Sequence, residues 1–244
     1  MLVDQRTLER ILYAAQISNH ETVLEAGTGQ GILTTELCKA AKHVVSYEID
    51  SNLYTKAKER FLSPSSSSSS LPINNLDLLN ADLFRTKRLD YFDVFVSNLP
   101  YSRSRDAFEW LSTQKFCRAI VMVQAEFADK LTAKPGSKNY RAISVLASHC
   151  FVIEILFKVG KQSFRPQPKV ESAVIKIIPI NTITKQIVKN INLLFSKRNK
   201  RARSVIAEFG IINANAPYGN RRIDELEPGN IVKIAELVSN VQSI

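Results

Sequence analysis

The chain has 244 residues, and 33 Lys and Arg against 23 Asp and Glu give it a formal charge of +10. A hydrophobic content of 45% and a charged content of 23% exclude a disordered tail or a fibrous repeat and predict a sizeable core. No stretch approaches the roughly 18 to 20 apolar residues of a bilayer span, and residues 1–20 lack a secretory pattern. We expect a cytoplasmic protein without membrane segments, whose positive charge attracts polyanions such as nucleic acid.

The three cysteines stand at separations that match neither a disulfide framework nor a Cys-x-x-Cys metal clip. The three histidines are isolated from one another, and none has a second ligand type at a helical or hairpin spacing that would suggest zinc. Zinc sites need several such ligands at short helical or hairpin spacings. The sequence therefore predicts reduced thiols and no metal site.

Helical and strand patterns alternate over the first 150 residues. Apolar residues recur at helical spacing over residues 7–17, and a second helical pattern covers residues 32–41. Runs of apolar and β-branched residues predict strands at residues 21–26, 43–49, 76–79, 92–96 and 119–123. The alternation predicts an α/β fold with a mostly parallel sheet, helices on both faces and right-handed crossovers.

The pattern changes after Cys150. Residues 151–159 and 170–178 are two extended segments whose connection is too short for a helical crossover, so they should pair antiparallel. From residue 184 the pattern is helical again, with a final helix from about Asn230. We expect a first domain over residues 1–182 and a small helical domain over residues 183–244. A serine run at residues 65–70 predicts a flexible loop without chemistry.

A glycine-rich turn follows the first predicted strand. Gly27, Gly29 and Gly31 let the backbone approach a ligand closely, and the helix that follows offers free amide donors. Glu25 stands two positions before the first glycine, where its charge would resist a pyrophosphate but suit a nucleoside that carries a sulfonium. Glu48 ends the next strand, where a carboxylate can accept from both hydroxyls of a ribose. The alternative is a tight turn with a solvated glutamate.

Two more polar segments follow predicted strands and should reach the same edge of the sheet. Asp82 could accept from an adenine amino group there, or simply cap a helix. In the tetrapeptide Asn98-Leu99-Pro100-Tyr101, an amide side chain and a proline-fixed carbonyl can accept from an amino group on a planar base, and the tyrosine can stack on it. Such a base must leave its helix before it can react. The alternative is a turn that merely ends a strand.

In this order, the motifs resemble those of the ribosomal RNA adenine dimethyltransferases, a family of S-adenosylmethionine-dependent enzymes with a seven-stranded Rossmann-like sheet. The resemblance is greatest to the KsgA type, which modifies two adjacent adenosines near the 3′ end of small-subunit rRNA. It runs over nearly the whole chain. The matching segments are residues 24–31, 48–50, 82, 98–101, 124–140, 164–172 and 195–201.

The resemblance implies roles for individual residues. It implies a cofactor site for S-adenosylmethionine formed by Glu25, Gly27, Gly29, Gly31, Glu48, Asp82 and Asn98. It implies a target-base site formed by Asn98, Leu99, Pro100, Tyr101 and Phe164. The family has no strong general base. Because the sulfonium methyl is already activated, the enzyme mainly aligns the amine lone pair and excludes water.

The same resemblance implies a partner, the rRNA of the small subunit or a pre-30S particle, bound by a monomer through phosphate contacts. Five of the seven residues at 197–203 are Lys or Arg. The predicted phosphate contacts are Arg103, Arg105, Lys134, Lys138, Arg141, Lys197, Arg198, Lys200, Arg201 and Arg203. The alternatives are a solvated helix face at 197–203 and a solvated turn at 102–105.

The chain departs from the family pattern in two places that bear on the site. The family usually begins with a Gly-Gln-Asn/His-Phe-Leu stretch ahead of the equivalent of Asp4, so we expect the cofactor contacts of that stretch to be absent. Residues 102–105 are also more basic than the apolar run usual there.

Three other functions fit part of the sequence. A large-subunit rRNA methyltransferase of the antibiotic-resistance type shares the fold, but it more often has Ile where this chain has Leu99. A mainly non-catalytic ribosome assembly factor would more naturally carry a degenerate tetrapeptide than an intact one. Enzymes that methylate protein Gln or DNA adenine usually carry Pro where Leu99 stands.

Overall fold

The computed structural model describes residues 3–62, 73–86, 91–211, 218 and 220–242, so the serine run lies outside the described residues. The strands are β1 (Thr22–Ala26), β2 (His43–Glu48), β3 (Leu76–Asn80), β4 (Val94–Asn98), β5 (Arg118–Gln124), β6 (Phe151–Val159) and β7 (Ser172–Pro179). The helices are α1 (Gln5–Ala15), α2 (Ile32–Ala40), α3 (Ser51–Leu62), α4 (Ser104–Leu111), α5 (Ala125–Leu131), α6 (Ala142–Cys150), α7 (Lys185–Ser196), α8 (Ala202–Ala207) and α9 (Pro228–Gln242).

Within the described residues, seven strands form one sheet in the order β3-β2-β1-β4-β5-β7-β6. Strands β1 to β5 run parallel to one another, whereas β7 pairs antiparallel with β5 and has β6 on its other side. The predicted fold, a mostly parallel Rossmann-like sheet with an antiparallel last hairpin, is confirmed. The fourth strand begins two residues later than predicted and ends with Asn98 itself.

The central strands carry the core because both of their faces are covered. Val23, Val94 and Ile120, from three adjacent strands, are fully buried. Parallel strands buried on both faces read as continuous apolar runs in the sequence, which is why these strands could be predicted. Helix α1 buries Leu8 and Ile11, which lie on one helical face three residues apart.

The chain divides into two compact units. The first comprises Met1–Ser104, Lys115–Ala125 and Glu154–Ile178, and the second comprises Arg105–Gln114, Glu126–Ile153 and Pro179–Ile244. The second unit therefore holds the predicted helical region together with two earlier segments, and the boundary at residue 182 stays a prediction. Inside the second unit, the buried Asn190 joins α7 to α9 by donating to Ala235 O at 2.9 Å and Ser239 Oγ at 2.7 Å.

The start of α2 is fixed by close packing. Gly31 has a φ of +77° at the N-terminal end of this helix. A Cβ atom there would lie 2.3 Å from the Cζ atom of Phe61, a buried ring of α3. Gly29 has a φ of +57°, but a Cβ atom there would meet nothing within 4 Å. Both glycines have a positive φ, which side-chain-bearing residues rarely adopt, and of the two only Gly31 also lacks the space for a side chain.

We expect Gly31→Ala to lower the free energy of unfolding by about 2 to 4 kcal/mol, because backbone strain and overpacking against Phe61 add together. The matched variant Gly29→Ala should cost only about 1 to 2 kcal/mol, from backbone strain alone. Urea unfolding of both variants without ligand measures the difference. Equal losses would contradict the packing role of Gly31.

Candidate active site

The carboxyl ends of β1, β2, β3 and β4 meet at a cleft of about 630 Å³ in the first unit. The strand order reverses between β1 and β4, and ligands of open α/β sheets bind at such a point. The cleft is lined by residues 26–30, 47–49, 81–84, 98–101 and 164, among others. Of the predicted cofactor residues, Gly27, Gly29, Glu48, Asp82 and Asn98 line it, whereas Glu25 and Gly31 lie outside its lining.

The glycine loop is tied to the end of β2. Gly27 N donates to Tyr47 O at 2.7 Å, and Gly29 N donates to Glu48 Oε2 at 2.8 Å. The other oxygen of Glu48 accepts from Asp50 N at 2.9 Å. Each carboxylate oxygen has two lone pairs, so this buried carboxylate can accept two further hydrogen bonds from a ligand.

Glu25 is fully buried beside this loop. Its Oε2 atom accepts from Thr34 Oγ1 at 2.7 Å and from Ser46 Oγ at 2.6 Å, and Ser46 also pairs with Thr28 of the loop. Among the described residues, Oε1 has no hydrogen-bond partner. Burial raises the pKa of Glu25 to about 7, against the two hydroxyl donors, and the nearby charge of Glu48 adds to the rise.

Asp82 carries an ion pair that the sequence did not predict. Its carboxylate accepts from Phe84 N at 3.1 Å, so it caps the turn Leu83–Arg85 as well as facing the cleft. Nη2 of Arg103 lies 2.6 Å from Oδ1 and 2.8 Å from Oδ2. The Arg103 guanidinium also lies 5.4 Å from the centre of the Phe84 ring. Arg103, predicted to contact RNA phosphate, therefore lines the cleft.

All five residues predicted for the target base line the same cleft. Within the described ranges no protein group is hydrogen-bonded to the Asn98 side-chain amide. Tyr101 is held by a 2.8 Å hydrogen bond between its hydroxyl and Ser172 Oγ of β7. Phe164 is 5% exposed, and Leu99 is 2% exposed. The Asn98–Tyr101 segment and Phe164 thus bring an amide and two aromatic side chains to one cleft.

The amino-terminal segment also reaches the cleft, which sequence reasoning missed. Val3 N donates to Ser163 O at 2.9 Å, and Asp4 Oδ2 accepts from Ser163 Oγ at 3.1 Å and from Thr7 Oγ1 at 2.5 Å. These bonds join the start of α1 to the residue before Phe164, so Val3 and Asp4 line the cleft with it. An Asp before an apolar helical pattern was the one available signal, and it indicated only a cap.

Several predicted RNA contacts of the second unit already have protein partners. Arg105 Nε donates to Glu109 Oε1 at 2.8 Å, and its Nη2 donates to Asn192 Oδ1 at 2.8 Å. Nη1 of Arg141 donates to the carbonyl oxygens of Lys138 and Tyr140, both at 2.7 Å, so Arg141 shapes the turn before α6. Lys138 itself is exposed, as is Lys134.

The basic segment at residues 197–203 is joined to a second basic stretch. Arg201 and Arg222 form an antiparallel bridge, and Ala202 N donates to Arg221 O at 2.9 Å. Arg221 and Arg222 are exposed and were missed by sequence reasoning, because they lie far from residues 197–203 in the chain. We call residues 197–203 with Arg221 and Arg222 the basic ribbon.

Two lysines of the basic ribbon are paired with one acidic residue. Lys200 Nζ lies 3.1 Å from Glu208 Oε1, and Lys197 donates to the other oxygen of Glu208. Hydrogen bonds from these lysines hold the pKa of Glu208 below its ordinary value. Among the described residues, the exposed arginines Arg201 and Arg203 form no such ion pair with an acidic side chain, so they are better placed to meet an external anion.

Among the described residues, His, Cys, Asp and Glu form no group of three that could hold a metal ion. In the same ranges, no helix has both the length and the apolarity to cross a membrane. Cys38, Cys117 and Cys150 are free thiols, and burial raises the pKa of Cys38 and of Cys150 to about 12. Neither buried thiol is therefore a nucleophile at neutral pH.

A family model described as ribosomal RNA adenine dimethylase matches residues 1–238. The chain belongs to the ribosomal RNA adenine dimethylase family. The family resemblance and the class of enzyme predicted from the sequence are thus confirmed.

Individual relatives of this dimethylase cover most of both chains. It is 32% identical over 237 residues to ribosomal RNA small subunit methyltransferase A of Thermotoga maritima, covering 96% of this chain and 81% of the relative. It is also 32% identical over 261 residues to a probable ribosomal RNA small subunit methyltransferase A of Methanosarcina mazei, covering 99% and 92%.

Two solved structures share the fold of this dimethylase over nearly their whole length. A dimethyladenosine transferase from Plasmodium falciparum matches with a TM-score of 0.75 at 25% identity, covering 99% of this chain and 98% of the other. The 23S rRNA methyltransferase ErmE matches with a TM-score of 0.64 at 25% identity, covering 98% and 99%.

The buried Glu25 makes the stability of this dimethylase depend on pH. The pKa of Glu25 is about 7 in the folded protein, against an ordinary value of 4.5. The stability that the protonated side chain contributes is therefore fully present below the unfolded pKa and is lost as the pH rises through about 7. We expect the free energy of unfolding to fall by about 3 kcal/mol from this residue between pH 4.5 and pH 8.

Glu25→Gln keeps the shape of the side chain and removes the titration, so it is the matched control. Urea unfolding of both proteins across this pH range, without ligand, gives the two curves to compare. As the pH rises, the free energy of unfolding of wild type should fall relative to that of Glu25→Gln. Two parallel curves would show that Glu25 does not titrate in this range.

Proposed function

We propose that this dimethylase transfers methyl groups from S-adenosylmethionine to the N6 amines of two adjacent adenosines near the 3′ end of small-subunit rRNA, during ribosome biogenesis in the cytoplasm. One observation carries the proposal. The glycine loop with Glu48, which suits a nucleoside cofactor, and the Asn98–Tyr101 segment, which suits an amino-bearing base, line a single cleft.

The residues present fit S-adenosylmethionine. The Cβ positions of Gly27 and Gly29 face open space, so a ligand can approach the backbone there. Glu48 would accept from the ribose hydroxyls, and Asp82 would accept from the adenine amine. Glu25 would act indirectly, by holding Ser46 and through it Thr28 of the loop. The bound cofactor supplies a methyl group activated by a positively charged sulfur.

The chemistry left to the protein is positioning. The Asn98 amide and the carbonyl of Leu99 would accept from the target amine and so aim its lone pair at the methyl carbon. Tyr101 and Phe164 would hold the faces of the flipped base. No strong base is needed in the cleft, because the amine proton becomes acidic only after the nitrogen has gained the methyl group and can then leave to water.

The small subunit is the favoured substrate because the relatives named for it match 96% to 99% of the chain at 32% identity. The match to the 23S rRNA methyltransferase ErmE keeps the large subunit as the alternative outcome. In either case the proposed RNA contacts come from the basic ribbon and from exposed lysines such as Lys134 and Lys138. The proposal takes the enzyme to act as a monomer and without a metal.

Labelling with a radioactive methyl donor tests the proposal. Purified protein is incubated with undermethylated 30S particles, naked 16S-type RNA or naked 23S RNA, and the labelled nucleoside is identified after digestion. We expect N6,N6-dimethyladenosine from two adjacent positions of the small-subunit RNA. Label in 23S RNA alone would replace the proposal with the large-subunit alternative, and the absence of label from every substrate would overturn enzymatic activity.

Asn98→Ala is the matched variant for the same assay. It should lower methyl transfer by at least about a hundredfold, because the target amine loses an oriented acceptor, while the dissociation constant for S-adenosylhomocysteine changes by less than about threefold. Calorimetric titration measures the latter. Cofactor affinity lost in parallel with activity would show that Asn98 serves mainly the cofactor and would contradict its proposed role toward the target amine.

The basic ribbon predicts a salt dependence of RNA binding. Replacing Arg201, Arg203, Arg221 and Arg222 by Ala should reduce the slope of log affinity against log salt by about one unit per lost phosphate contact. Filter binding between about 50 and 200 mM salt measures the slope. The control replaces Lys185, Lys189 and Lys233, exposed cations on α7 and α9, and should leave more of the slope intact. A larger reduction of the salt slope in the control variant would indicate that RNA contacts α7 and α9 instead of the basic ribbon.

A further inference from the structure

The carboxylate of Asp82 is almost fully occupied by protein donors. Oδ1 accepts from Phe84 N at 3.1 Å and from Arg103 Nη2 at 2.6 Å. Oδ2 accepts from the same Nη2 at 2.8 Å, and the Arg85 Nε atom lies 3.4 Å away. A carboxylate has about four lone-pair sites, so three are taken at short distance and one has only the longer contact.

The two arginines differ in how firmly they are held. The Arg103 side chain is 28% exposed and that of Asp82 is 13% exposed, so their pair is partly shielded from water. The Arg85 side chain is 85% exposed, and an exposed pair at this distance contributes little. Arg103 therefore fixes the orientation of the carboxylate, and the remaining lone pair of Oδ2 is open to a better donor.

Arg103 also belongs to the segment that carries the target-base residues. It ends the turn Tyr101–Arg103, and its backbone N–H donates to Pro100 O at 2.8 Å. Asp82 comes 21 residues earlier, after β3. The ion pair thus joins the end of the Asn98–Tyr101 segment to the loop that faces the proposed cofactor nucleobase.

We propose that Arg103 is a positioning residue that acts through Asp82 to make the cofactor site selective for a 6-aminopurine. The inference rests on the proposed function. With three lone-pair sites held by Arg103 and Phe84, the carboxylate presents its fourth site in one direction, where an N–H of a 6-amino group can donate. A 6-oxopurine has a carbonyl oxygen at that position, so it would offer the carboxylate no hydrogen-bond donor.

Such discrimination is typical of sites in which a fixed polar group must be paired by the ligand. A freely rotating carboxylate would lose part of this selectivity, because it could turn toward water when the ligand offers no donor. The effect of Arg103 should therefore depend on which purine is bound. A side chain that merely stabilised the fold would affect both purines alike.

The test is calorimetric titration with S-adenosylhomocysteine and with S-inosylhomocysteine, its 6-oxo analogue. Wild type, Arg103→Ala, Arg103→Lys and the control Arg105→Ala are compared. Arg105→Ala removes the same charge two residues away, from a side chain bonded to Glu109 and Asn192 instead of Asp82. Circular dichroism and thermal unfolding of each variant accompany the titrations.

We expect Arg103→Ala to weaken binding of S-adenosylhomocysteine by about tenfold and of S-inosylhomocysteine by less than about threefold, so that the preference for the amino form shrinks. Arg103→Lys should restore part of the preference, because Arg103 contacts both oxygens through one nitrogen and an ammonium can do the same. Arg105→Ala should keep the wild-type preference.

Equal losses for the two ligands in Arg103→Ala would overturn the inference while leaving the proposed function in place. Tighter binding of S-adenosylhomocysteine by Arg103→Ala would also overturn it, because Arg103 would then compete with the nucleobase. Failure of wild-type protein to bind S-adenosylhomocysteine would overturn the proposed function itself, and the inference with it.

Discussion

The reversal of strand order between β1 and β4 is the constraint on which the site depends. Crossovers leave these two adjacent strands in opposite directions across the sheet, so no connection covers the gap between their carboxyl ends. The glycine loop and the Asn98–Tyr101 segment come from chain positions about 70 residues apart and meet only there, where Ser97 Oγ donates to Ala26 O at 2.6 Å. Each loop alone is a turn at a strand end; together they line one cleft.

A carboxylate is buried beside this cleft in an electrostatically unfavourable environment. Within the part of the chain that the structure describes, Glu25 is buried without a counter-ion, the charge of Glu48 lies near it, and two hydroxyl donors offset part of the desolvation of its carboxylate. A protein selected for stability alone would favour an apolar residue there. The proposed cationic cofactor gives a reason for the carboxylate, because a positive charge bound in the cleft would stabilise its ionised form.

The sequence was sufficient where local pattern decides the outcome. Apolar runs located the parallel strands, and glycine, acidic and amide residues at their ends indicated which loops would meet, because strand ends of a parallel sheet share an edge. It was insufficient where a charge had to choose among distant partners. Arg103 was expected to contact RNA and pairs with Asp82, and Glu25 was expected to contact the cofactor and lies outside the cleft lining. Arg222 joins the basic ribbon through its backbone bridge to Arg201, which is distant in the chain. Which charged side chains are buried and which are paired depends on tertiary packing. The spacing of apolar residues along the sequence does not encode that packing.

Under the proposed mechanism no strong base acts, so the rate must come from geometry; this agrees with the way ionic and hydrogen-bonding groups of the cleft are tied to one another. Glu48 holds the glycine loop, Asp82 is held by Arg103, and Tyr101 is held by Ser172. A misplacement of about 1 Å in methyl transfer is costly, because attack must be in line with the breaking bond. Side chains already fixed before the ligands arrive lose little entropy when they bind. The Asn98 amide, which has no hydrogen-bond partner among the described residues, is then the group left to pair with the proposed target base.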